Sequence, residues 1–231
     1  MSGYVLYWHP QTSSYAPHVV LEEIGVNYET KFVDYEASEQ KSESFLAINP
    51  NGMLPVLLLE DGRSVYESAA IVMYLSDRHS EANLAPGLSE PDRPFYNQWL
   101  FYLSSMVFQT YTRYYQSDRY STDPTNSHPI REQAARDLVH RWQIVDRALM
   151  GKSWLLGSRF SVCDIYMQML TLWHLSREGH DPNSSPMLSD AFFDRFENVT
   201  RVAAAVGERP ATKKIMALYP QQDYFSSTCQ A

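Results

Sequence analysis

Three hydroxyl side chains stand in a row at Thr12, Ser13 and Ser14, just after His9-Pro10 and where a helical pattern begins. Such residues at a helix start can cap the helix or donate a hydrogen bond to a negative atom held there. A phenol, Tyr7, lies a few residues earlier. A second helix start falls at Glu67-Ser68. Free N–H groups and the positive end of the helix dipole favour a carboxylate at such a point. The Ser68 hydroxyl can add a donor to that carboxylate, and Glu67 can pair with an ammonium, so the two together suit the amino-acid end of a ligand. Between the two helix starts, Gly52-Met53-Leu54-Pro55 places a proline at the opening of an apolar strand after a glycine turn, a position suited to a cis X-Pro bond. The two cysteines, Cys163 and Cys229, are distant and form no C-x-x-C pair, which argues against a disulfide scaffold and a cysteine metal site. The seven histidines show no H-x-x-x-H spacing. His18, His79, His140 and His174 read as surface or core-edge residues, and no metal is expected.

These groups need elements to hold them, and the first eighty residues supply short ones in alternation. Tyr4–Trp8 reads as a strand ended by His9-Pro10, and Ser14–Ile24 as a helix with Pro17 in its first turn. Tyr28–Asp34 is a second strand, and Lys41–Ile48 a short helix stopped by Asn49-Pro50. Pro55–Leu59 and Ser64–Tyr66 are strands around a turn, and Glu67–Arg78 has helical spacing. The order β-α-β-α-β-β-α predicts a small mixed sheet with helices on its faces. Residues 81–92 collect Pro, Gly, Ser and acids, as a linker does. Beyond them the pattern is helical throughout: Pro94–Gln116, Ile130–Met150, Ser161–Arg177, Ser189–Val206 and a short run near Ala211–Tyr219. At Phe160-Ser161-Val162-Cys163-Asp164-Ile165, Ser161 and Asp164 can form a capping box, with Phe160 stapled to Ile165. The expected organisation is an α/β domain over 1–80, a linker over 81–92, an all-α domain over 93–220 and a tail over 221–231.

With 231 residues, 44% of them hydrophobic, the chain can bury two modest cores. Net charge is −8, which argues against a nucleic-acid partner. It also means that an anionic ligand must be captured by local groups, because the overall field does not steer it inward. No apolar run is long enough to span a bilayer and no signal peptide is evident, so no membrane partner and a cytoplasmic location are expected.

The run Asn49-Pro50-Asn51-Gly52-Met53-Leu54-Pro55-Val56, followed by Tyr66-Glu67-Ser68-Ala69-Ala70-Ile71, resembles the glutathione-transferase family, which carries N-P-x-G-x-[VL]-P and then E-S-x-A-I. The helical half matches as well, through the S-x-x-D box at Ser161. The resemblance implies a thioredoxin-like first domain and an all-α second domain, with glutathione as co-substrate and a homodimer. It further implies a cis Leu54–Pro55 bond that turns the Leu54 backbone toward the peptide. Glu67 and Ser68 would hold the γ-glutamyl end, and Lys41 would reach the glycyl carboxylate. Met53 stands where Gln or Lys is frequent.

The stretch His9-Pro10-Gln11-Thr12-Ser13-Ser14-Tyr15-Ala16-Pro17-His18 resembles the S-P-G-A-C-S-L-A-P-H loop of bacterial beta-class enzymes, with Ser13 in the place of Cys. A hydroxyl forms no mixed disulfide, but it can donate to a bound thiolate. Lowering a thiol pKa by two units takes about 2.7 kcal/mol. A hydrogen bond to a charged group gives about 1.5–3 kcal/mol, and a helix N-terminus about 0.3–1 more. Ser13 ranks first as the activating group, then Ser14, Thr12 and Tyr7, with helix capping as their alternative role. Trp99-Leu100-Phe101-Tyr102-Leu103-Ser104-Ser105-Met106-Val107-Phe108 resembles the beta-class W-L-N-F-I-S-S-E-L-H, with Phe101 and Phe108 replacing Asn and His. Phe101, Tyr102, Ser105, Phe108 and Tyr111 are the candidates for contact with a hydrophobic second substrate. The implied activity is attack of the glutathione thiolate on a hydrophobic electrophile. A glutathione-dependent disulfide reductase and a noncatalytic ligand-binding protein remain as alternatives.

Overall fold

The computed structural model describes residues 3–10, 12–175 and 192–219. They fall into two compact units, one within Met1–Leu88 and Gly207–Ala231, the other within Ser89–Val206. The first unit runs β1 (Tyr4–Trp8), α1 (Tyr15–Ile24), β2 (Tyr28–Phe32), α2 (Glu43–Leu46), β3 (Val56–Leu58), β4 (Ser64–Tyr66) and α3 (Ser68–Arg78). The sheet order is β2-β1-β3-β4, with β1 parallel to β2 and antiparallel to β3, and β3 antiparallel to β4. This is the expected mixed sheet. Alternation along β3 sends neighbouring residues to opposite faces. One face carries Val56 with Val33, Phe45 and Leu54, edged by Tyr7, Tyr35 and Ile48. Away from that cluster Leu6, Leu57, Val19, Val20, Ile71 and Leu75 have no exposure, and α1 packs on both β1 and α3. The helix expected over Lys41–Ile48 is shorter, with a 3-10 turn at Glu39–Lys41 and α2 starting only at Glu43. Ser42 is the cause: its backbone is extended and its Oγ accepts the Phe45 N–H at 3.2 Å, which makes it the cap of a new helix.

The second unit is helical: α4 (Arg93–Phe101), a π-helical stretch (Tyr102–Phe108), α5 (Gln109–Tyr115), α6 (Ser127–Ala148), α7 (Val162–Leu175) and α8 (Glu197–Gly207). The helix expected over Pro94–Gln116 is thus one run with a wider turn in its middle. Its π stretch places Ser105 Oγ 2.7 Å from the Phe101 carbonyl, to which it donates. In the span Ser189–Val206 the described residues form a 3-10 turn at Phe192–Arg195 and then α8. Asp146 of α6 fixes that break, because its Oδ1 accepts the N–H groups of Asn198 (2.9 Å) and Val199 (3.1 Å) and so caps α8 from outside. Residues 176, 177 and 189–191 lie outside the described set.

The last helix, α9 (Pro210–Met216), belongs to the first unit and not to the helical span 93–220 expected for it. Charge pairing and packing explain the return. Arg209 grips the Glu23 carboxylate through Nε at 2.6 Å and Nη2 at 2.7 Å, Lys214 pairs with Glu22, and α9 lies along α1. The expected tail, 221–231, lies outside the described residues.

Candidate functional site

Strand register gathers the candidate groups of the first unit. Tyr7 pairs with Val56 and Val56 with Tyr66. The end of β1, the start of β3 and the end of β4 therefore share one edge of the sheet. The hydroxyl turn Thr12–Ser14, the Leu54–Pro55 bond and the Glu67–Ser68 helix start all leave from that edge.

The turn after β1 is held by its own hydroxyls. Thr12 Oγ1 donates to the His9 carbonyl at 2.9 Å and accepts the Ser14 N–H at 3.3 Å. Ser14 Oγ lies 2.8 Å from Thr12 Oγ1, 3.1 Å from the His9 carbonyl and 3.1 Å from Tyr219 Oη. Ser14 is fully buried and makes no side-chain bond to the N–H groups of α1. Two of the three hydroxyls are thus committed to the turn. Ser13 keeps 6% exposure, and its hydroxyl has no partner among the described residues. Tyr7 points elsewhere. Its phenol accepts from Lys31 Nζ at 3.3 Å and its ring meets Phe45 edge-on, within the cluster under α2.

Leu54–Pro55 is cis. Leu54 precedes β3, and its N–H and C=O have no partner among the described residues, which leaves both for an added strand. Met53 is exposed. The loop before it is shaped by Asn49, a residue to which sequence spacing assigns no role. Its Nδ2 donates to the Met53 carbonyl at 2.7 Å and its Oδ1 accepts the Asn51 N–H at 3.1 Å. An Asn opening a Pro-Asn-Gly turn was the available signal, because Asn side chains bond locally to backbone two residues on. Gly52 has φ +61°, and a Cβ there would sit 2.8 Å from the Gln40 carbonyl and 3.3 Å from Lys41 Cδ. The Lys41 stem therefore runs beside this loop, and its exposed ammonium is bonded to no described residue.

At the third element, Glu67 sits at φ 71°, ψ 108°, outside the conformations a non-glycine residue prefers. Such a geometry costs about 1–3 kcal/mol and persists where the surroundings enforce it. Ser68 opens α3 in a buried position, while the Glu67 carboxylate is exposed and bonded to no described residue. The unsatisfied groups at this sheet edge are then a hydroxyl at Ser13, a backbone donor–acceptor pair at Leu54, a carboxylate at Glu67 and an ammonium at Lys41. That set offers one charge of each sign, a hydroxyl and a backbone donor–acceptor pair at one end of the sheet.

In the second unit the aromatic candidates divide. Phe101 is 58% exposed, while Ser105 is bonded back to its own helix. Phe108 stacks at a tilt on Trp173, centroids 4.6 Å apart. Tyr102 reaches the Arg141 carbonyl at 3.4 Å, and burial pushes its phenol above the ordinary tyrosine pKa. Tyr111 is fully enclosed and accepts the Trp142 indole N–H at 3.0 Å, so this ring is core and does not line a pocket. Among the described residues no cluster of three His, Cys, Asp or Glu side chains is arranged to hold a metal ion, and no helix is long and apolar enough to cross a membrane.

Residues 1–77 match the family model for the glutathione S-transferase N-terminal domain. The chain is 28% identical over 169 residues to glutathione S-transferase GstA of Escherichia coli O157:H7, covering 73% of this chain and 81% of that one. It is 32% identical over 130 residues to Protein URE2 of Eremothecium gossypii, covering 52% of this chain and 37% of the relative. Among solved structures, a sphingomonad glutathione S-transferase complexed with glutathione superposes with a TM-score of 0.75 at 27% identity, covering 93% of this chain and 98% of that one. The chain has the glutathione-transferase fold, a thioredoxin-like sheet domain followed by a helical region, and its first 77 residues resemble the N-terminal domain of that family.

Proposed function

We propose that the chain is a glutathione transferase in which Ser13 donates to the glutathione thiolate. The observation that carries this reading is the division of labour in the turn: Thr12 and Ser14 are committed, and Ser13 is left with a hydroxyl to donate. The Leu54 backbone would pair with the peptide, Glu67 with its α-amino group, the α3 start at Ser68 with its α-carboxylate, and Lys41 with its glycyl carboxylate. A thiolate held by Ser13 and the start of α1 forms a carbon–sulfur bond to an apolar electrophile, and the leaving group departs with the electron pair. The sphingomonad relative solved with glutathione supports the ligand. The exposed Phe101 supports an apolar second substrate, and the exposed Phe95 on α4 supports a homodimer. In this reading the protein works in the cytoplasm, in detoxification.

Calorimetry with glutathione, with bound-thiol ionisation followed by ultraviolet absorbance against pH, tests the assignment. Ser68→Ala should weaken binding about tenfold or more. Ser13→Ala should bind within about threefold of wild type and raise the bound thiol pKa by one to two units, the worth of a hydrogen bond to a charged group. A wild-type protein that does not bind glutathione refutes the reading, and ionisation indifferent to Ser13 refutes its role.

A further inference from the structure

The last described residue, Tyr219, reaches back 205 positions to the start of α1. Its ring is 2% exposed and packs against Trp8, Tyr15 and His18 with centroids 5.1, 5.2 and 5.9 Å away. Its phenol oxygen stands 3.1 Å from Ser14 Oγ and 3.2 Å from His18 Nδ1. The geometry points to Tyr219 as a positioning residue for the thiolate-binding turn, one that holds Ser14 in its bonds to the turn and so leaves the Ser13 hydroxyl directed to the ligand. This inference rests on the proposed role of Ser13.

The proton count supports it. A phenol has one proton and here at least two neighbours, Ser14 Oγ and His18 Nδ1, so one of these must supply its own. Burial among aromatic rings pushes the His18 pKa down to about 4, so its imidazole is neutral with a single proton. With that proton on Nδ1, His18 donates to Tyr219, Tyr219 donates to Ser14 Oγ, Ser14 donates to Thr12 Oγ1 at 2.8 Å, and Thr12 donates to the His9 carbonyl at 2.9 Å. Each step is within bonding distance, and the chain ends on the carbonyl that opens the turn. Without the phenol, Ser14 is free to rotate toward the N–H groups of α1 in the manner of an ordinary cap. The anchor itself is placed by α9, through Arg209 on Glu23 and Lys214 on Glu22.

Tyr219→Phe keeps the ring and removes only the oxygen. Glutathione binding, the pH dependence of bound-thiol ionisation, and kcat with an aryl halide would be measured for wild type, Tyr219→Phe, Ser13→Ala, Ser14→Ala and the Tyr219→Phe/Ser14→Ala pair. Positioning predicts that Tyr219→Phe binds glutathione within twofold of wild type and raises the thiol pKa by half to one unit. Its kcat should fall three- to tenfold at pH 6.5 and recover at high pH. In the pair, the tyrosine change should add nothing to the serine change. An unshifted thiol pKa in Tyr219→Phe overturns the inference, as does a full additional shift in the pair. If Ser13→Ala shifts the pKa and Tyr219→Phe does not, the Ser13 reading stands and this one falls. If only Tyr219→Phe shifts it, Tyr219 positions another donor and the Ser13 assignment falls. If neither shifts it, both fall.

Discussion

Two helix starts in this protein use the same residue type in opposite ways. At α7, Ser161 and Asp164 satisfy one another. The carboxylate accepts the Ser161 N–H at 2.9 Å, the Ser161 hydroxyl at 3.2 Å and the Leu155 N–H at 2.9 Å, while Ser161 Oγ accepts the Cys163 N–H at 3.3 Å. Both residues are fully buried. At α1, Ser14 turns its hydroxyl back into the preceding turn and leaves the first N–H groups of the helix without a side-chain cap. A closed start contributes stability and fixes a loop. An open start gives up that capping energy and keeps donors for a ligand.

The largest way to break the comparison is Asp164→Ala. It strands the buried N–H groups of Leu155 and Ser161, each worth about 1–3 kcal/mol when left unsatisfied. A loss of about 3–5 kcal/mol by chemical denaturation is expected, with the glutathione affinity of the remaining folded protein unchanged. A loss below about 1 kcal/mol would mean that α7 is not closed in this sense.

pH sharpens the contrast, because the two starts carry titrations of opposite sign. Burial pushes the Asp164 pKa up to about 7 against the hydrogen bonds it accepts. Between about pH 4 and 7 the folded state then holds a proton that the unfolded state has released, so this group loses stability as pH rises. His18, pushed down to about 4, does the reverse: from about pH 6.5 down to 4 the unfolded state takes up a proton that the folded state refuses, and stability falls with acid. At full effect each amounts to about 1.4 kcal/mol per pH unit. In the wild type these two contributions should nearly cancel over this window. Asp164→Asn should lose stability on acidification, and His18→Gln should gain it. Parallel profiles for the three proteins in denaturant melts would refute the assignment of these two groups.

The Ser161–Asp164 box was legible because its two residues stand three positions apart and local spacing determines their bonds, whereas the Leu155 N–H that Asp164 also accepts comes from the preceding loop and was not. The sheet was legible for the same reason, with β4 at the expected Ser64–Tyr66. Sequence spacing also singled out Leu54–Pro55 and Glu67–Ser68. What it could not reveal was the bond of Ser14 to Tyr219, about two hundred residues away and carried back by α9. Nor could periodicity place Tyr111. A ring at helical spacing suits a pocket or a core equally well, and only the indole of Trp142 on a neighbouring helix decides for the core. The split before α8 was hidden likewise, since its cap, Asp146, comes from another helix.

The smallest effect tests the open edge itself. Lys41 is exposed, its stem lies beside Gly52 and its ammonium is bonded to no described residue. Charges in such settings are worth about 0.2–1 kcal/mol and are screened by salt. Lys41→Ala should therefore weaken glutathione binding only about two- to fivefold at low ionic strength. The difference from wild type should shrink toward zero near 1 M salt, where screening reaches within about 3 Å. Stability should not change, because the side chain satisfies nothing within the fold. An affinity loss that persists at high salt would show Lys41 to be a desolvated, direct ligand. No loss at any salt would remove it from the site and leave the glycyl end to backbone groups of the Asn49–Leu54 loop.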